Sequence, residues 1–175
     1  MVLEHSPHTH ANTETSKIET SVRAFQSGDR ERVIALLRAT KNFSEAEILV
    51  AEELIDIVID RPEQLDYYAY VAETSGSVAG FLLLGPTPAT TGTYDMYWIA
   101  VHPEHQGMGI AQMLDGYAEH FVRERGGYWL IAETSSQPSY ERTRAFYQKQ
   151  RYEQLARIPD YYKPGDDLII FGKRF

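Results

Sequence analysis

The chain has no cysteine. Disulfides, thiolate metal sites and a covalent acyl-cysteine intermediate are therefore excluded. No apolar run approaches the roughly 20 residues of a membrane span, and Met1–Lys17 lacks the apolar centre of a signal peptide. These absences lead us to expect a soluble, cytoplasmic protein. Basic residues are scarce, with 17 Lys and Arg against 25 Asp and Glu and a net charge of −8. Nucleic-acid binding is disfavoured, because phosphate affinity needs clustered Lys and Arg. An acidic surface suits a cationic substrate such as an amine. No internal repeat is visible. Residues 1–17 carry His5, His8 and His10 among polar residues and read as a flexible tail with nothing to bury, so no metal site is expected there.

What is present fits one globular domain over residues 18–175. The chain of 175 residues is 43% hydrophobic, enough for a real core. Thr20–Phe25 alternates like a first strand. Asp29 offers an N-cap to a helix that buries Val33, Ile34, Leu36 and Leu37. Ser44-Glu45-Ala46-Glu47 is a capping box; it opens a second helix that ends before Pro62. Tyr67–Glu73 and Val78–Leu84, joined by Ser75-Gly76-Ser77, read as a β-hairpin. Gly85–Gly92 is a loop before a strand over Thr93–Val101. A third helix begins at Ile110 and stops at Gly126-Gly127. Its apolar residues Ile110, Met113, Leu114, Tyr117, Ala118, Phe121 and Val122 recur at helical spacing. Tyr128–Thr134 follows as a strand, so the crossover is parallel and right-handed. A shorter helix spans Tyr140–Lys149. Strands over Tyr152–Ile158 and Leu168–Lys173 close the chain, joined through residues 159–167.

The stretch that organises the rest runs from Tyr94 to Arg125. Its strand ends at His102-Pro103, and Gln106-Gly107-Met108-Gly109-Ile110-Ala111 turns into the long helix. A helix N-terminus presents unsatisfied N–H groups and a partial positive charge, which makes it an anion site. Glycines let a phosphate approach the backbone. A P-loop would need Lys-Ser/Thr where Ile110-Ala111 stands, and a dinucleotide fingerprint would need a small residue where Gln112 stands. Both fail. What remains is Gln/Arg-x-x-Gly-x-Gly/Ala, with Gln106, Gly109 and Ala111 in register.

On those residues, and on the run from Ile99 to Leu114, the chain resembles the GNAT superfamily of N-acetyltransferases. The resemblance covers Ser21 to the C-terminus. It implies an α/β (α+β) single domain: a mixed, mostly antiparallel sheet of six or seven strands, a splayed parallel pair in its middle and about four flanking helices. It implies that acetyl-coenzyme A is held by Ile99, Ala100, Val101, Gln106, Gly107, Met108, Gly109, Ile110 and Ala111, with Arg144 and Tyr147 assisting. Gln106 stands where many members have Arg, so the site leans on backbone N–H groups.

A second motif, Tyr140 to Tyr152, resembles the family's A-x-x-F-Y-x-x-x-G-F segment. Arg151 replaces its glycine, and Tyr140 stands where many members have a cofactor-touching Asn. Tyr147 matches the tyrosine that protonates the departing thiolate. A thiol near pKa 8.5 and a phenol near 10 differ by roughly 2 kcal/mol, which positioning can offset. The attacking amine must also lose a proton. Glu133, at the end of the strand after the long helix, is the expected base; Asp95 and an ordered water are the rivals. Asp95, Tyr97, Tyr161 and Tyr162 are expected at the acceptor site. The Tyr161-Tyr162 pair resembles one in N-terminal protein acetyltransferases.

The resulting expectation is direct acetyl transfer to the primary amine of a small molecule. A protein N-terminus or lysine is the alternative acceptor, and a non-catalytic acyl-coenzyme A sensor is the alternative class. The expected partners are acetyl-coenzyme A and an amine-bearing small molecule or peptide, with no nucleic acid and no membrane. A homodimer is left open, and no metal is expected.

Overall fold

The computed structural model describes residues 19–175. The histidine-bearing opening stretch lies outside the described residues. The elements in chain order are β1 (Thr20–Ala24), α1 (Arg30–Thr40), α2 (Glu45–Asp60), β2 (Tyr68–Thr74), β3 (Ser77–Pro86), β4 (Thr93–Val101), α3 (Ile110–Glu124), β5 (Trp129–Ser135), α4 (Glu141–Lys149), β6 (Glu153–Lys163) and β7 (Asp166–Arg174). No helix among the described residues is long and apolar enough to cross a membrane.

The seven strands form one sheet in the order β1-β2-β3-β4-β5-β7-β6. Every pairing is antiparallel except β4 with β5. That parallel pairing is short, running from Thr93↔Trp129 to Met96↔Ala132. Beyond it β4 stays on β3 and β5 stays on β7, so the two strands diverge. A bulge accompanies the divergence: Met96 and Trp98 pair with Leu84 and Leu83, and Tyr97 between them has no partner on β3. A bulge bends its strand and re-aims side chains.

The two faces of the sheet carry separate cores. α3 and α4 cover one, where Leu82, Met96, Leu114, Phe121, Leu130 and Tyr147 pack together. α1 and α2 cover the other, on Val71, Phe81, Leu83 and Ala100. Gly80 lets α3 seat close on β3, since a Cβ there would meet Ile110 Cγ2 and Leu114 Cδ1, each at 2.9 Å.

Three local expectations change. Asp29 does not cap α1 with its side chain. Its carboxylate accepts from the Gln26 N–H (2.9 Å) and from Arg23 (2.7 and 2.9 Å), closing the turn ahead of the helix. On α3, Met113 is exposed and Asp115 is buried in its stead. The residues expected as a final loop belong mostly to β6, which continues to Lys163. Between Ile158 and Lys163 the ladder is interrupted, and side chains replace it: Asp167 Oδ1 accepts from the Asp160 N–H at 2.9 Å and Asp160 Oδ1 from the Gly165 N–H at 2.6 Å. Pro159 is tolerated because β6 is an edge strand. The capping box is as expected, with Ser44 N–H donating to Glu47 at 2.8 Å.

Candidate active site

The divergence of β4 and β5 leaves the β4 backbone beyond Met96 without a strand partner on that side. Such groups are obligatory hydrogen-bonding groups. Two cavities meet at this gap. The first, of about 530 Å³, is lined by the outer half of β4 (Ile99, Ala100, Val101), by Gln106 and Ala111 of the turn, and by Thr143, Phe146 and Tyr147 of α4. The second, of about 810 Å³, takes Asp95 and Glu133 from the strands, Glu47 from α2, and Tyr162 and Asp166 from the last hairpin. Tyr97, Trp98, Glu133 and Thr134 line both.

Strand alternation explains why the cavities differ. Leu130 and Ala132 of β5 point into the α3 core, so Ile131, Glu133 and Ser135 point to the opposite face. Met96 likewise faces α3, which turns Asp95 the other way. The gap is thus reached from the α4 face by Tyr147 and from the α2 face by Glu133 and Asp95.

At the turn, Gly107 and Gly109 adopt left-handed φ values of +79° and +80°, with nothing within 4 Å of where a Cβ would stand. Gly109 is the N-cap of α3, no side chain caps the helix, and its first turn holds no acidic residue. The first N–H groups of α3 therefore have no side-chain cap, and the partial positive charge at this helix end is uncompensated. This arrangement fits a phosphate-bearing group. Ile110 is buried beneath the turn and Met108 is exposed; their side chains do not line the first cavity.

Tyr147 is 4% exposed. Its ring packs on Phe146, Tyr152 and Phe171 at centroid distances of 5.6, 5.2 and 5.4 Å. Its hydroxyl has no hydrogen-bond partner among the described residues. Burial, aided by the negative Asp115, pushes its pKa well up, so the phenol holds its proton at neutral pH and is a weaker acid than a free tyrosine. Glu133 reaches solvent through the cavity, yet the surrounding walls and the nearby Asp95 charge hold its carboxyl above the ordinary glutamate range. Burial lifts Asp95 as well. The Thr134 hydroxyl, where the cavities meet, is buried with no partner among the described residues.

Arg144, expected to assist the cofactor, does not line the first cavity. Its Nη1 donates to the carbonyls of Ser135 (2.7 Å) and Gln137 (2.9 Å), bracing the β5–α4 connection, and Arg142 lines the cavity in its place. Tyr140 lines both cavities, and its hydroxyl donates to the Asn42 carbonyl at 2.6 Å, across to the α1–α2 loop. Tyr161 is 56% exposed and lines neither cavity, whereas Tyr162 lines the second. Asp115 was not foreseen. It sits behind Tyr147, accepting from the Tyr152 hydroxyl at 2.8 Å and from Lys173 at 3.2 Å. Only its place one residue after Leu114, at the edge of the apolar stripe, hinted at burial. Among the described residues no group of three or more His, Asp or Glu could hold a metal ion.

The acetyltransferase (GNAT) family profile matches residues 30–152, and the chain belongs to that family. A GNAT-family protein from Desulfovibrio desulfuricans, solved by crystallography, is 36% identical, covers 89% of this chain and 99% of its own, and superposes with a TM-score of 0.86. The ribosomal-protein-S18-alanine N-acetyltransferase of Escherichia coli shares the fold at 16% identity, covering 89% of this chain and 94% of its own (TM-score 0.70). So does an aminoglycoside 6'-N-acetyltransferase complexed with coenzyme A, at 19% identity, 88% and 96% coverage and a TM-score of 0.69. No protein with a curated description matches the chain. The chain is thus an acetyltransferase of the GNAT family, and enzymes of that family use acetyl-coenzyme A.

Proposed function

We propose that this chain moves an acetyl group from acetyl-coenzyme A directly to a primary amine of a small molecule. The observation that carries the reading is the meeting of two unlike cavities at the β4–β5 gap. One is lined by Gln106 and Ala111, on either side of the glycine turn at the uncapped start of α3, the other is walled by carboxylates. The first would hold the pyrophosphate on the N–H groups of the Gly107–Ala111 turn, beside Gln106. The unpaired backbone of Ile99, Ala100 and Val101 would pair with the amides of the pantetheine arm as an added strand does. Acetyl-coenzyme A, when bound, supplies a thioester carbonyl to the amine and leaves as a thiolate.

The chain's own residues manage the protons. Glu133 takes one from the incoming ammonium, directly or through one water, and the neutral amine so freed attacks the thioester carbonyl. An amine of pKa near 10.4 resists giving it up at pH 7 by about 4.6 kcal/mol. Each pKa unit by which burial lifts Glu133 towards the amine eases the transfer by about 1.4 kcal/mol. Tyr147 gives its hydroxyl proton to the sulfur as the C–S bond breaks, and regains one, relayed by water, from the nitrogen, which sheds its second proton as the amide forms. Tyr97 and Tyr162 wall the acceptor, and Asp95 supports its charge. Aminoglycoside acetylation by structural neighbours accords with a small cationic acceptor.

A polypeptide N-terminus is the second reading, favoured by Tyr162 on the wall of the second cavity, against which the exposed Tyr161 ring packs. Mass spectrometry after incubation with acetyl-coenzyme A and a panel of aliphatic amines, amino sugars and free-N-terminus peptides tests the proposal. Acetylated small amines with matching coenzyme A release are expected. Acetylation of peptides alone would establish the second reading. Binding of acetyl-coenzyme A without any turnover would leave a sensor.

A further inference from the structure

Tyr140 takes no part in the proposed proton transfers, yet its side chain spans the site. Its hydroxyl donates to the Asn42 carbonyl at 2.6 Å and lies 3.4 Å from Glu47 Oε1. The bond joins the start of α4 to the α1–α2 connection, across 98 residues of chain. Burial, with Glu47 beside it, pushes the hydroxyl's pKa up, so it stays protonated and keeps donating at neutral pH. The connection that receives the bond is short and held at both ends. Lys41 ends α1 in the left-handed region at φ +56°, the Thr40 hydroxyl donates to the Leu37 carbonyl at 2.7 Å, and the Ser44–Glu47 capping box opens α2. A clasp onto so fixed a loop has little freedom to swing away.

Asn42, Phe43 and Tyr140 each line both cavities, as do Tyr97 and Trp98 of β4 and Glu133 of β5. Phe43 packs against the same core as Tyr97 and Trp98. The boundary between the cavities is thus a circuit. It runs from β4 to the α1–α2 connection resting beside it, across the hydrogen bond to Tyr140, and back through the β5–α4 connection to Glu133. An acceptor in the second cavity reaches a thioester in the first by passing inside that circuit. Four of its members are aromatic, so the passage is walled by rings that offer an ammonium their π faces and take up its width.

We infer that Tyr140 is a specificity-determining residue: clasped to Asn42, it narrows the passage so that the reacting amine must stand on an unbranched methylene. A branch on that carbon would press against the rings as the nitrogen nears the thioester. The inference rests on the amine-acetylation reading and narrows it. An alkylamine or a lysine side chain would pass. The α-amine of a polypeptide, on a branched carbon in every residue except glycine, would be held back.

The test compares a methylene amine with its α-methyl counterpart, which adds one branch beside the nitrogen. n-Propylamine and sec-butylamine form the simplest pair; an amino sugar or longer alkylamine with its own α-methyl counterpart replaces them if it turns over faster. Uncatalysed aminolysis of a model thioester by the same pair gives the intrinsic ratio. The parent should favour the methylene amine in kcat/KM by at least about tenfold beyond that ratio, the low end of what a pocket commands over one methyl group. In Tyr140→Ala this excess should shrink severalfold, chiefly through faster turnover of the branched amine. Tyr140→Phe keeps the ring and releases it from Asn42, and there the excess should shrink less. A ratio of two kcat/KM values from one preparation does not depend on how much of it is folded, so lost stability does not imitate the effect. No excess in the parent, or a best substrate whose amine stands on a branched carbon, would overturn the inference and leave amine acetylation standing. So would an excess that survives intact in Tyr140→Ala. Turnover of no amine at all would remove amine acetylation, and this inference with it.

Discussion

Tyr147, the proposed acid, is held by its ring rather than by its hydroxyl. Phe146, Tyr152 and Phe171 surround the ring, so Tyr147→Phe should fold like the parent. If the hydroxyl protonates the leaving thiolate, kcat should fall by about 10²–10⁴-fold with little change in acetyl-coenzyme A affinity. Unchanged kcat, with acetyl transfer shown to be rate-limiting, would return Tyr147 to the core. The placement of Tyr147 and Glu133 on the cavities was legible in the sequence because each stands at a fixed offset from a motif or a strand end. Arg144 was not, because nothing local distinguishes a guanidinium turned to a cofactor from one turned to two carbonyls. Asp115 was hidden for a similar reason. Its burial depends on Tyr152 and Lys173, which lie 37 and 58 residues further on.

Among the elements, the turn into α3 does the most with the least. Gly109 supplies a left-handed φ and leaves the helix end uncapped. Gly109→Glu would fill that space with a negative side chain. The left-handed backbone costs a non-glycine residue about 1–2 kcal/mol, and a carboxylate at a helix N-terminus returns about 0.3–1 kcal/mol. The variant should therefore remain folded while calorimetry shows a large loss of acetyl-coenzyme A affinity. Full affinity in the folded variant would move the phosphate site elsewhere. This turn was readable because glycine spacing and helical periodicity are local signals. β6 was only half readable. Its outer part is an interrupted ladder stitched by Asp160 and Asp167, and no alternation of apolar residues marks such a strand. The placement of Tyr162 on the second cavity, and of Tyr161 off it, was lost with it.

At the scale of the whole molecule, the sheet is a partition with one breach. A helix pair covers each face, and the proposed acid and base approach the breach from opposite sides. The strand–helix–strand order was enough to foresee a parallel pair. Where that pair would part was not foreseeable, because the end of the β4–β5 ladder and the Tyr97 bulge are matters of register between strands far apart in sequence. Nor could the net charge of −8 reveal that Glu47, Asp95, Glu133 and Asp166 gather on one cavity.

The central claim is that Glu133 receives the amine proton at this breach. The pH dependence of kcat/KM tests it most directly, for the parent, Glu133→Gln and Asp95→Asn with one aliphatic amine. Glu133 must be ionised to act and the incoming amine arrives protonated. The parent should therefore show a plateau, from a lower limb above the ordinary glutamate range up to the pKa of the amine. Glu133→Gln should lose the plateau and rise tenfold per pH unit as free amine appears. Asp95→Asn should keep the plateau at a lower level. A plateau that persists in Glu133→Gln, or disappears only in Asp95→Asn, would contradict the assignment.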